Sequence, residues 1–157
     1  MGQLDLIRKA WDGLSPLPGG KWIFSQMVGR AAPYTGTIGA KVESLEKGRA
    51  VVSMRDRPGL RNHLRSVHAV ALANLVELTG NVALAYSIPE GSRFIVTGME
   101  IDYVKKARGT ITGEGTYVGP AVVTENIDGF SEVILRDSGG DVVVRGRCKC
   151  RIGPDKS

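Results

Sequence analysis

The sequence predicts an α+β fold in which one antiparallel sheet wraps around a single long helix, with short helices at the N-terminus. Three observations carry that reading. One long apolar run is bounded by helix-stop signals, strand-like segments lie before and after it, and 21 Gly with 7 Pro supply turns between them. With 157 residues, 42% of them hydrophobic and 24% charged, the chain has the composition of an ordinary globular domain. Disorder, collagen and a disulfide-stapled miniprotein are excluded. A chain of this length buries roughly 70% of the surface its unfolded form exposes, enough for a substantial core.

Taken in order, Gln3 to Gly13 reads as an amphipathic helix, with Leu4, Ile7, Ala10, Trp11 and Leu14 on one stripe. SPLPGG breaks it, and Lys21 to Arg30 forms a second short helix that ends before Ala31-Ala32-Pro33. From Thr35 the texture turns to strands, and TGTIGAKVESLEKGRAVVSMR reads as a hairpin turning at Glu46 to Gly48. A polar, arginine-rich loop, RDRPGLRNH, leads into the long run from Ser66 to Ser87, a helix of about five turns ended by Pro89. Four strands follow: SRFIVTGMEIDYV, RGTITGEGTYVG, TENIDGFSEVILRD and DVVVRGRCKCRI. Ser138-Gly139-Gly140 joins the last two as a hairpin. No repeat, low-complexity segment or linker divides the chain, so residues 1–157 are expected to form one domain. A helical extension over residues 1–33 precedes a core over residues 35–152.

A helix that is apolar all round belongs inside a protein or inside a membrane. Asn74, Glu77, Thr79 and Asn81 sit at the middle of this one, and an acidic residue at a bilayer centre costs about 2.5–3.5 kcal/mol. The protein interior is therefore the expected surrounding, with no membrane partner. The N-terminus carries acidic residues and no long apolar run, so it does not read as a signal peptide. Leu6 stands where a myristoylation signal wants Ser or Thr. A cytoplasmic location is expected.

Lys plus Arg is 21 and Asp plus Glu is 16, a net charge of +5. That balance suits an anionic partner, such as a phosphorylated cofactor or nucleic acid, and equally an ordinary solvated surface. Aromatics at 6% argue against the stacking platforms of single-strand binding. Arg145, Arg147, Lys149 and Arg151 alternate with smaller residues and form a basic strand face, expected to be solvated rather than bound to nucleic acid. Cys148 and Cys150, two apart on a strand, point the same way. A zinc site would need both of them and both histidines, so reduced, buried thiols are expected and no metal. Gly113-Glu114-Gly115 lies in strand-like sequence with the wrong spacing for a dinucleotide loop.

Between Ala69 and Ala85 the only ionisable side chain is Glu77. Burial without partners disfavours the charged form of a carboxylate, which is how one becomes a useful base; a structural ion pair is the alternative. Asn62 and His68 lie just before the helix. Nine residues separate His68 from Glu77, roughly 13.5 Å and half a turn of rotation on a regular helix. If the two share a site, a second subunit supplies one of them, which points to a twofold dimer.

The segment Asn62-x5-His68-x8-Glu77, opening a long central helix, resembles the hotdog-fold acyl-CoA thioesterases of the phenylacetate-pathway type. The run from Arg61 to Gly115, with Tyr103-x-x-x-Ala107-Arg108-Gly109, is similar to an uncharacterised branch of that superfamily, and the likeness covers roughly residues 35–152. The resemblance implies a homodimer, or a dimer of dimers, that hydrolyses acyl-CoA thioesters. Glu77 would be its general base or nucleophile, and Asn62 would position water or thioester. His68 stands at the family's histidine, and the Ala69 amide falls where an oxyanion donor is expected. It also implies that Lys105, Lys106 and Arg108 meet the phosphates of coenzyme A, which enters as part of the substrate; no separate cofactor is implied. Arg57, Arg61 and Arg65 are alternative phosphate contacts. One departure stands out: the family usually reads His-Gly-Gly, and this chain reads His68-Ala69-Val70. A non-catalytic binder of acyl ligands is the second reading, a basic interaction module the third, and a hydratase on the same fold a further possibility.

Overall fold

The structure, a computed structural model, describes residues 2–156. Met1 and Ser157, the outer ends of the expected domain, lie outside the described residues. Two helices come first, α1 (Gln3–Leu14) and α2 (Gly20–Ala31), followed by the one-turn α3 (Pro33–Gly36). The strands expected from Thr35 therefore begin later, with β1 (Lys41–Glu46) and β2 (Arg49–Met54). Pro33 at the first helical position favours the extra turn. Gly36 also packs directly on Gly29 of α2, where a Cβ would come within 2.6 Å of the Gly29 carbonyl.

The long helix is α4 (Ala69–Ser87), and the remaining strands are β3 (Ser92–Tyr103), β4 (Ile111–Tyr117), β5 (Ile127–Arg136) and β6 (Val142–Pro154). All six strands form one sheet in the order β1-β2-β4-β5-β6-β3, every neighbouring pair antiparallel. The sheet curls around α4, which packs across β2, β4, β5 and β6. Twelve of the 19 residues of α4 are buried, so its apolar surface is spent inside the protein. It is the one helix among the described residues long and apolar enough to cross a membrane, and it is the core helix of this α+β, hotdog-like architecture.

Glycines let helix and sheet come together. A Cβ at Gly115 of β4 would stand 2.7 Å from the Thr79 carbonyl oxygen, and one at Gly146 of β6 would stand 2.5 Å from Val76 Cγ1. The glycines of Gly113-Glu114-Gly115 thus serve close packing. On the opposite side α1 packs on α4, and α2 packs on α1. Arg8 of α1 donates from Nε to the Ala85 carbonyl at 3.2 Å and from Nη2 to the Ile88 carbonyl. It thereby satisfies carbonyls that the C-terminus of α4 leaves open. Trp11 of α1 meets Phe24 of α2 edge to face at 5.1 Å.

The basic strand face is largely neutralised. Arg147 pairs with Glu132 at 3.0 Å, and Lys149 and Arg151 pair with Asp128 at 3.8 and 3.0 Å. The Arg147 guanidinium also lies 4.0 Å over the Phe130 ring. Cys148 and Cys150 are free and buried on the inner face, as their spacing predicts.

Candidate active site

The helix expected from Ser66 starts at Ala69, because the preceding residues are committed elsewhere. Asn62 and Ser66 form a tight turn: Asn62 Oδ1 accepts from Leu64 N at 2.9 Å and from Ser66 N and Oγ at 3.2 Å each. Asn62 N–H donates to the Ser66 carbonyl and His68 N–H to the Leu60 carbonyl, both at 2.8 Å. Arg65 takes the left-handed backbone this turn requires, with φ of 58°. Asn62 and His68 therefore belong to one small hairpin that delivers the chain into α4.

His68 caps the helix. Its Nδ1 accepts from Val70 N–H at 3.0 Å, and the side chain is exposed. The Ala69 N–H, the first amide of the helix, has no acceptor among the described residues. It is exposed and sits at the positive end of a 19-residue helix, where an anion is favoured. Tyr103 Oη donates to the Ala69 carbonyl at 2.9 Å, fixing the β3 terminus beside this turn.

A second loop, between β3 and β4, is tied to the first. Val67 N–H donates to the Ala107 carbonyl at 2.8 Å. Asp56 accepts from Gly109 N–H at 3.0 Å and from Arg61 Nε at 2.7 Å. The Arg61 hydrogen bond, foremost, holds the Asp56 carboxyl below the usual aspartate range, with the Gly109 amide adding to it against the opposing effect of burial. The cations divide accordingly. Lys105 is held by Asp137 and Asp141 of the β5–β6 turn, so the phosphate contact expected of it competes with two carboxylates. Arg57 donates to the Thr37 carbonyl and Arg61 is engaged by Asp56. Arg65, Lys106 and Arg108 are exposed and make no ion pair among the described residues. The bonded loops put all three at one end of the molecule.

Glu77 lies two and a half turns along α4. It is half-buried and makes no hydrogen bond or ion pair among the described residues. Burial, foremost, pushes the Cys148 and Cys150 thiols of β6 each up to about 11, and the Glu77 charge adds to both shifts.

Over residues 20–152 the chain matches the family described as a domain of unknown function, DUF4442. The chain belongs to that family. Solved structures agree with this fold. A structural-genomics target with a TM-score of 0.79 is 26% identical, over 98% of this chain and 99% of that one. A protein of unknown function from Pseudomonas aeruginosa, described as a probable thioesterase, has a TM-score of 0.74 at 22% identity, over 88% of this chain and 97% of that one. A thioesterase from Haemophilus influenzae has a TM-score of 0.69 at 11% identity, over 79% and 85%. The DUF4442 chain thus has the hotdog fold of thioesterase-like proteins. No curated protein matches it.

Within one DUF4442 chain, Asn62, His68 and the Ala69 amide come together, and Lys106, Arg108 and Arg65 share the adjoining loops. Glu77 stays apart, because a regular helix puts it roughly 13.5 Å from His68 along the axis. Sequence reasoning missed Asp56, which ties both loops. An aspartate among arginines in a polar loop carries no periodic signal; its partner 53 residues away is set by the fold. It also missed Asn74, whose Nδ2 donates to the Tyr34 carbonyl at 3.3 Å and anchors α3.

Proposed function

We propose that this DUF4442 protein is an acyl-CoA thioesterase that works as a homodimer, with each site drawing on both copies. The observation that carries the reading is Glu77, a half-buried carboxylate on the core helix without an ion-pair or hydrogen-bond partner among the described residues. Structural carboxylates on apolar helices are held by partners, and this one is left available.

The edge strand β3 supports the assembly. It is 12 residues long, and it exposes Ile95, Met99 and Tyr103 along an unpaired edge, which soluble proteins seldom leave bare. Its Tyr103 end sits at the start of α4, and its Phe94 end lies beside Val82 and Ala85 in the second half of α4. A twofold axis across β3 sets the Tyr103 end of one copy against the Phe94 end of the other. That carries Asn62, His68 and Ala69 of one protomer toward Glu77 of its partner.

In such a site Glu77 takes a proton from water as the water oxygen adds to the thioester carbonyl. The charge that forms on the carbonyl oxygen meets the Ala69 N–H, a preorganised donor at a helix N-terminus. Asn62, whose Oδ1 is occupied, presents its Nδ2 for positioning. Collapse breaks the carbon–sulfur bond, and the proton returns from Glu77 to sulfur, releasing a carboxylic acid and a free thiol. Lys106 and Arg108 meet the phosphates of coenzyme A, while Lys105 anchors their loop.

The test is thiol release from short, long and aromatic acyl-CoAs by wild type and by Glu77→Gln, which keeps the shape and removes the base. Loss of a general base lowers turnover by about 10²–10⁴-fold. Absence of thiol release from every substrate, or equal turnover by the variant, overturns the reading. One observation favours a second reading, an acyl-ligand binder without turnover: Ala69 and Val70 replace the glycines, and His68 already occupies the Val70 amide. Saturable acyl-CoA binding without hydrolysis would establish that one.

A further inference from the structure

We propose that the groove between the N-terminal helices and α4 holds the alkyl tail of a fatty acyl thioester, so that the extension selects for long, straight, uncharged chains. This rests on the thioesterase reading for what brings the tail to the site.

The groove has a volume of about 360 Å³. Ile7 and Ala10 of α1, Met27 and Ala31 of α2, and Val82 and Ala85 of α4 line it, with Phe94 of β3 alongside. Among the described residues, Thr35 and Asn81 are its only polar lining residues, and no charged side chain lines it. Two larger cavities, about 480 and 510 Å³, differ in this respect: Arg30 lines one, and Arg8, Lys47 and Glu90 line the other. An uncharged, apolar concavity takes an apolar guest. An apolar cavity of ~150 Å³ admits a benzene-sized molecule, so this groove has room for a chain on the order of a dozen carbons.

Its position fits an acyl tail. Asn81 follows Glu77 by one helical turn on the same flank of α4, so the two are neighbours on the helix surface. A thioester with its carbonyl at Glu77 extends past Asn81 directly into the groove. The Phe94 end of β3 lies there too, next to where the twofold places the partner's His68 loop, so head and tail of one substrate can be engaged together. Because α1 and α2 form the opposite wall, the N-terminal extension becomes part of the substrate site.

Each buried methylene strengthens binding by roughly fourfold, so chain length is the readout. Trp11 meets Phe24, which lines the groove, edge to face, and tryptophan fluorescence reports occupancy. Binding of a dodecyl and a butyl thioether of coenzyme A, neither hydrolysable, is measured on wild type, Glu77→Gln, Ala31→Phe and Ala10→Phe. Ala31 is exposed at the rim, so Ala31→Phe fills the groove without touching the core. The expected result is dodecyl binding at least tenfold tighter than butyl in wild type and Glu77→Gln. In both filled variants that preference is lost while butyl binding is unchanged. Equal affinity for both chains, or a preference that survives filling, overturns the proposal. So does a change in oligomer mass on Ala31→Phe without a change in preference, which would make the groove a surface for a second copy. The two readings separate: a filled-groove effect without any thiol release sinks the thioesterase reading alone, and thiol release without chain preference sinks this one alone.

Discussion

Where α4 meets the sheet, the backbone of Gly115 lies so close to Thr79 that a single methyl group would come within 2.7 Å of a carbonyl oxygen. Between the same helix and α1 and α2, a groove of about 360 Å³ remains, and the side-chain oxygen of Asn81 in its lining is buried without a partner among the described residues. The sheet flank is closed by small residues and tolerates no added atom. On the helical flank Arg8 of α1 holds the last carbonyls of α4, Trp11 joins α1 to Phe24 of α2, and a groove is left between these helices and α4. Rigidity on the sheet flank fixes the position of α4; slack on the other leaves space that a ligand can fill.

The largest effect should come from forcing bulk into the closed flank. Gly115→Val puts a branched side chain against backbone atoms of α4 that cannot rotate away, so about 3 kcal/mol of stability should be lost. Urea denaturation should show the whole sheet and α4 unfolding together at a lower midpoint. A variant as stable as wild type would mean the helix can lift off the sheet, and the contrast between the flanks would collapse.

A smaller and more local effect is expected from Arg8→Met. The substitution keeps the apolar stem and removes two charge-assisted bonds to the Ala85 and Ile88 carbonyls, worth about 2 kcal/mol together. Hydrogen exchange should quicken in α1 and at the end of α4 while β4, β5 and β6 keep their protection. Equal quickening in the strands would show that α1 and the sheet unfold as one unit, and would sharpen the comparison into a single cooperative core.

The fold was readable because its signals are local. The 3.6-residue stripe of α1, the glycine turn at Gly48 and the alternation along β6 each name their element, and α4 shows itself by its apolar length. The start of α4 was misplaced at Ser66 because histidine is a rare cap, and the Asn62 turn that diverts Ser66 is a side-chain effect with no periodicity. The site was readable only in pieces. Asn62, His68 and Glu77 stand out as residue types, but Lys105 looks like its neighbours until the fold brings Asp137 and Asp141 to it. The groove was invisible, since its walls come from segments 70 residues apart that each look like ordinary core.

The finest test of the two flanks is to make a comparable polar-to-apolar change on each. Thr79 is fully buried; its Oγ1 donates to the Leu75 carbonyl at 2.6 Å, and Gly113 lies beneath it. Thr79→Leu enlarges a side chain that has nowhere to expand, and should cost about 1–3 kcal/mol. Asn81→Leu replaces an amide whose oxygen is buried and unpartnered with an apolar group beside open space. Relieving an unmet polar group offsets what the change in shape costs, so its stability should stay level or rise by about 1 kcal/mol. Thermal melts of the two variants, read side by side, should therefore move in opposite directions or diverge by more than the scatter of the method. If Asn81→Leu falls as far as Thr79→Leu, the helical flank is packed as tightly as the sheet flank, and α4 has no open side to offer a ligand.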